Sequence, residues 1–180
     1  MRYLKNISAL LFLTAAIGVA HSQELVAMDE RPGTDFERYE TYSWTENVVN
    51  ADAGAYLNNR VLKSTIQDAI EYELEARGYE NKDNNADMLI NFRVFEEPTE
   101  FQGYVDSDLD EGEFIEAEDA KTYQLEAGTL LIQLMDKEEG TVVWQGFASG
   151  IMDGEVFDKS PERIKEAVHE IFDKYEYSAD

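Results

Sequence analysis

The sequence predicts an α+β protein: a two-layer sandwich with a mixed β-sheet of about four strands, in the chain order β-α-β-β-β-α, and two helices packed on one face. Two stretches, 62–74 and 164–175, repeat apolar residues at helical spacing. Three others, at 40–44, 86–96 and 128–150, are rich in aromatic and β-branched residues or alternate with a period of two. A sheet with one face under helices accommodates both patterns.

Residues 1–22 read as a secretory signal peptide. Arg2 and Lys5 give a positive start, residues 7–20 are apolar, and Ala20-His21-Ser22 offers small residues for cleavage before Gln23. The alternative is an uncleaved anchor, but the run is short of the roughly 20 residues that span a bilayer. With no cysteine in the chain, no lipid anchor is expected. The expected location is periplasmic or otherwise exported, after cleavage near Ser22.

Residues 23–34 form a polar lead, in which Leu25-Val26-Ala27-Met28 suggests a brief edge strand before Arg31-Pro32-Gly33-Thr34 breaks the chain. A single domain is expected over 35–177. Tyr42 and Trp44 share a face of its first strand. They suit an aromatic ligand platform or core packing, and packing is preferred because large aromatics dominate core energetics. After a loop at 45–55, residues 57–77 form a helix with Leu62, Ile66, Ile70 and Leu74 in one stripe, flanked by Val61 and Ala69. Gly78 stops it. Residues 79–85 are a polar connector to the strand at 86–96. Met88, Ile90, Phe92 and Val94 line one side of that strand, Leu89, Asn91, Arg93 and Phe95 the other. If the strands flanking the helix are parallel neighbours, their crossover is right-handed.

The region 97–125 reads as a long acidic loop, with eight acidic residues among the 14 of 106–119 and a short helix around 116–121. The hairpin follows. A three-residue loop, Glu138-Glu139-Gly140, keeps both apolar sets on one side and puts Gly140 in the left-handed region. Leu134 then faces Trp144, and Leu130, Ile132, Leu134, Val142 and Trp144 lie under the helices. The opposite, semi-polar face carries Leu131, Val143, Phe147, Leu89 and Phe95. It is either a contact surface or covered by the acidic loop. Residues 152–159 read as loop. Ser160 caps the last helix, Pro161 takes its first position, and Ile164, Val168, Ile171, Phe172 and Tyr175 make its stripe. Residues 176–180 fray.

Chemical signals are few. Without cysteine there are no disulfides, thiolate metal sites or cysteine nucleophiles. Loss of the leader leaves His169, beside the last helix's stripe and read as a rim residue. No Gly-x-Ser-x-Gly elbow and no phosphate-cradling glycine motif is present. Asp106-Ser107-Asp108-Leu109-Asp110-Glu111-Gly112 resembles a calcium loop, but glycine falls at its seventh position and Ala117 at its twelfth. Paired carboxylates could hydrolyse glycosides, yet no pair stands out among so many. No catalytic, cofactor-binding or metal residue, and no cofactor, is therefore expected.

Removing Arg2 and Lys5 takes the 15 Lys+Arg to 13 against 39 Asp+Glu, a formal charge of −26. Such a surface repels nucleic acid and anionic lipid. Weak divalent-cation binding by the acidic loop is the one cation role it suggests.

Several ordered motifs resemble one family. Asp35-Phe36, Tyr39, Thr41-Tyr42 and Trp44 match an opening D-F-x-x-Y-x-T-Y-x-W. Arg77-Gly78-Tyr79 followed by Ala86-Asp87-Met88-Leu89-Ile90 matches a (K/R)-G-Y … A-D junction. Gly128-Thr129-Leu130, Asp136 and Val143-Trp144-Gln145-Gly146 match a G-T-L … D … V-W-x-G hairpin. Over roughly 35–175 the chain is similar to the bacterial lipoprotein-like family known as domain of unknown function 4136. The resemblance implies an α+β domain of the cell envelope and no known activity. Many members carry a lipidated cysteine, which this chain lacks. The expected function is a non-enzymatic binding or accessory module for an envelope protein or glycan. The alternatives are a hydrolase of an envelope carbohydrate using acidic residues, and a divalent-cation-dependent structural protein.

Overall fold

The computed structural model describes residues 25–45, 59–82, 85–103 and 122–179. The expected leader, most of the 45–55 loop, and the acidic stretch 106–119 with its short helix lie outside them. In chain order the elements are β1 (Leu25–Glu30), a 3-10 turn (Phe36–Arg38), β2 (Thr41–Trp44), α1 (Arg60–Ala76), β3 (Glu80–Asn81), β4 (Met88–Phe95), β5 (Thr99–Gln102), β6 (Thr122–Leu125), β7 (Thr129–Asp136), β8 (Thr141–Ser149), β9 (Met152–Asp153), β10 (Val156–Phe157) and α2 (Pro161–Phe172).

The fold is mixed α+β, and its main sheet has six strands rather than four, in the order β1-β8-β7-β4-β2-β3. β2 runs parallel to β3 and β4, and the other pairings are antiparallel. The two additional strands are the edges. β1 lies along β8 from Leu25↔Ser149 to Glu30↔Trp144. β3 pairs only through Thr41↔Glu80 and Tyr42↔Asn81, too short a run to show a period of two.

One face of this sheet shares a core with both helices. Leu62, Ile66, Ile70 and Leu74 of α1, and Ile164, Val168, Ile171 and Phe172 of α2, pack with Tyr42, Met88, Ile90, Phe92, Leu130, Ile132, Leu134 and Trp144. Each large apolar side chain buried there contributes roughly 1.5–3 kcal/mol over exposure. Tyr42 is a core residue, and Trp44 packs edge-on to Phe92. α1 begins at Arg60, later than expected, because the Asn59 side chain accepts from the backbone N–H groups of Val61 and Leu62 and caps it there. Val61, beside that cap, is exposed rather than packed. Gly78 ends the helix in the left-handed region, at φ +88°.

The β7–β8 hairpin corrects the expected turn. Asp136 faces Thr141, so four residues, 137–140, make the loop, with Gly140 at φ +68°. An even-numbered loop alone would set Leu134 opposite Val143. A one-residue bulge at Val143 restores the pairing of Leu134 with Trp144. The bulge also turns Val143 into the main core and leaves Val142 half-buried, the reverse of the expected assignment.

The opposite face is partly covered. β5 and β6, within the stretch expected to be loop, pair as a ribbon. Leu125 and Tyr123 of this ribbon pack over Leu131 and Phe147, with Ala27 and Phe95 at the margin. Alongside runs a chain of side-chain hydrogen bonds across four strands. Asn91 donates to Gln133, Gln133 to Gln145, and Gln145 to Asp29, each at 3.2 Å.

The C-terminal third holds three further differences. The 152–159 segment contains the small ribbon β9–β10, with Phe157 buried. Ser160 occupies the cap position of α2, but its side chain makes no cap bond; Asp158 accepts from the Ser160 N–H instead. The tail does not fray up to Ala179. The Tyr177 ring stacks on Phe36 at 3.9 Å, its hydroxyl donates to Glu30, and the Ala179 N–H donates to the Arg77 carbonyl. Aromatic stacking and two hydrogen bonds offset the entropy of ordering so short a segment.

Candidate functional site

Polar side chains gather where the start of β2, the start of β4 and the β7–β8 turn meet. A cleft of about 510 Å³ opens there, lined by Arg38, Tyr39, Asn85, Ala86, Asp87, Asp136, Lys137 and Glu138. A second pocket of about 260 Å³ adjoins it and shares Arg38 and Tyr39, with Arg31, Gly33, Thr34, Asp35 and Glu139 around it.

Asp136 forms the floor. It is buried at the last position of β7, where a bare carboxylate would be costly. Three donors satisfy it: the Arg38 guanidinium and the Tyr39 hydroxyl on Oδ2, and the Glu139 N–H on Oδ1 at 2.7 Å. Burial pushes the Tyr39 hydroxyl above its usual range, against the opposing pull of Arg38, so Tyr39 keeps its proton and remains a donor. The Arg38 guanidinium also lies 5.0 Å from the Tyr39 ring centroid.

Asp87 forms one wall and ties β4 to β2. Its Oδ2 accepts from the Thr41 hydroxyl at 2.7 Å, the Thr41 N–H at 3.0 Å and the Glu40 N–H at 3.2 Å. Burial would raise its pKa, but the Thr41 hydroxyl, the two backbone donors and Lys82 together hold it below the usual carboxylate range. Asn85, just before, adopts a left-handed φ of +64° that asparagine tolerates well.

A separate groove of about 510 Å³ lies between the helices, lined by Asp68, Ala69, Tyr72, Glu73, Lys165, Glu166 and His169. His169 Nδ1 lies 2.9 Å from the buried Glu73 carboxylate, and His169 Nε2 is 3.8 Å from Asp173. Arg77 donates to Glu73 at 2.6 Å and to the Phe172 carbonyl at 2.8 Å. The Glu73 hydrogen bond, then the charges of Asp173 and Glu73, raise the His169 pKa. His169 is thus a rim residue tied to a buried acid. The sequence signal for that acid is the i,i+4 spacing of Glu73 and Arg77.

The residues that carry the family resemblance are mainly structural staples. Tyr39 and Asp136 bond each other, as do Thr41 and Asp87. Gly146 leaves room for the Trp144 ring and Ile171, since a Cβ there would fall 2.5 Å from one and 2.6 Å from the other. Gly128 sits at φ +73° against Met152 and the Ile151 carbonyl. The sequence marks Arg31 and Glu139 only as turn residues, and offers neither them nor Arg38 as part of a site. Among the described residues, no group of three or more His, Asp or Glu side chains is placed to hold a metal ion, and no helix is long and apolar enough to cross a membrane. The candidate calcium loop lies outside these residues.

Fold and cleft together define an α+β domain with a six-stranded mixed sheet and a polar recess at one end of it. The chain belongs to the DUF4136 family, a domain of unknown function, whose family model matches residues 26–175. Among solved structures it is similar to a DUF4136 family protein from Bacteroides thetaiotaomicron, at 16% identity over 87% of this chain and 97% of that one, with a TM-score of 0.56. It is also similar to a PDZ domain protein from Parabacteroides distasonis, at 20% identity and a TM-score of 0.50. That match covers 88% of this chain but only 37% of the longer one. No curated protein matches the sequence.

Proposed function

We propose that the chain is an exported cell-envelope domain acting as a non-enzymatic binding module, with the Asp136 cleft as its ligand site. One observation carries this reading: both aspartates of the cleft, the buried Asp136 and the exposed Asp87, are already acceptors in the fold's own hydrogen bonds. Asp136 holds Arg38, Tyr39 and the hairpin turn, and Asp87 holds the β2–β4 junction. A general acid must carry a proton near neutral pH, whereas Asp87 is held ionised. The rim groups Asn85, Lys137 and Glu138 instead supply the mixed donors and acceptors that orient a polar ligand. The leader-like first 22 residues support an exported setting.

The test is an NMR titration of the chain lacking residues 1–22 with solubilised cell-wall glycan fragments. Shifts clustered on Arg38, Asn85, Asp87 and Lys137, with the fragments intact, support binding. The second reading, an acidic-residue hydrolase, rests on Asp87 and Asp136 lining one cleft. Cleavage of the fragments that Asp87→Asn abolishes establishes it in place of the first. Export is checked by fractionation and by the mass of the mature N-terminus, expected at Gln23.

A further inference from the structure

We propose that the smaller pocket beside the cleft is a carboxylate subsite, and that it receives the α-carboxylate of a short zwitterionic peptide whose amine reaches the Asp136 cleft. The proposal rests on the reading of that cleft as a ligand site and specifies the ligand's chemistry.

The mature chain has only 13 basic residues against 39 acidic ones, yet two arginines converge here. Arg31 is held by its turn: the Thr34 N–H and hydroxyl both bond the Arg31 carbonyl, and the Arg31 N–H bonds the Val143 carbonyl. Gly33 in the same turn, at φ +77°, leaves open space where a side chain would stand. Arg38 is fixed from below by Asp136. Both side chains stay about two-fifths exposed, and each guanidinium carries five donors in a fork suited to a carboxylate.

Glu139 shows what the pair accepts. Its carboxylate stands between them, 3.4 Å from Arg31 and 3.7 Å from Arg38. Charge-assisted hydrogen bonds of this kind run to about 2.7–2.9 Å, so Glu139 is loosely held. It is also half exposed, on a turn whose backbone rather than side chain bonds Asp136. A carboxylate with freer geometry can displace it without undoing the turn.

Charge narrows the ligand. A formal charge of −26 repels a polyanion that comes within the screening distance of about 8 Å. A zwitterion avoids that cost. The adjoining cleft offers Asp87 and Glu138 to an ammonium group, and Arg38 and Tyr39 form the partition between the two chambers.

The experiment titrates the 15N-labelled chain without residues 1–22 against trialanine, trialanine C-terminal amide and inorganic phosphate. Trialanine is expected to shift the amides of residues 31, 33–35 and 139 together with those of 85 and 87. The amide is expected to bind at least about ten-fold more weakly, the loss of one charge-assisted pair. Glu139→Ala should tighten trialanine binding several-fold by removing the competing carboxylate, and Arg31→Met, which also gives up the bond from Arg31 to the Thr141 hydroxyl at 2.6 Å, should weaken it about ten-fold while the chain stays folded. Equal binding of acid and amide, phosphate shifting the same residues as strongly, or a Glu139→Ala chain that binds no better would each overturn the proposal. Glycan fragments that still bind the cleft while trialanine does not would sink this inference alone. Failure of both would remove the cleft reading as well.

Discussion

Asp136 joins distant parts of the chain through one carboxylate. Its partners Arg38 and Tyr39 are 98 and 97 residues away, and Glu139 is three. Replacing Asp136 with alanine leaves a buried tyrosine hydroxyl and a turn N–H without their acceptor. The expected loss is about 3 kcal/mol, measured by urea unfolding. Gly146→Ala tests packing alone. Its Cβ would meet Trp144 and Ile171 well inside contact distance, so a loss of about 1–3 kcal/mol is expected in the same assay. Both residues stand out in the sequence as parts of a family pattern, but their jobs do not. A pattern states which residue recurs, while the acceptor role of Asp136 and the space left at Gly146 exist only once distant segments meet. The arginines of the small pocket are less legible still, because Arg31 lies before a turn and Arg38 in a 3-10 turn, with no periodicity to mark either.

Elements were legible where the period was long and regular. The stripes of α1 and α2, and the face assignments along β4 and β7, followed from spacing alone, since each depends on residues within a few positions of one another. The β8 bulge did not, because Val142, Val143 and Trp144 are all apolar and the extra residue shows only against its partner strand. The contact between α1 and α2 has a pH consequence of its own. The groups facing His169 are Glu73 and Arg77 on α1, and Asp173 at the end of α2, with Tyr72, Lys165 and Glu166 along the same groove. The folded pKa is raised, so protonated His169 stabilises the fold. That contribution is fully present below the unfolded value near 6.5 and is lost as pH rises through the higher folded value. Melting temperature should therefore fall across this interval, and His169→Gln should flatten that part of the profile. Exposure of the ring keeps the effect small.

At the scale of the whole molecule, the α+β class was legible and the sheet order was not. Periodicity reports how a segment is buried, whereas strand neighbours are set by pairings between distant residues, such as Phe92 with Ile132 and Met28 with Gly146. The C-terminal strap closes the structure in the same long-range way, joining β1, the 3-10 turn and the end of α1. Deleting residues 177–180 should cost about 1 kcal/mol or more and speed hydrogen exchange near Arg77 and Gly78. The side-chain chain from Asn91 to Asp29 has a directional consequence. Each amide can present oxygen or nitrogen to its neighbour, so three amides in a row could point either way. Asp29 can only accept while ionised, and it stands at one end. One carboxylate at the edge of the sheet thereby polarises three side chains on three other strands, like a compass fixing a row of needles. Asp29→Asn removes the reference, and the side-chain NH₂ resonances of Asn91, Gln133 and Gln145 should then broaden or double as both senses become populated. Single sharp pairs in that variant would mean that each amide is oriented by its own surroundings.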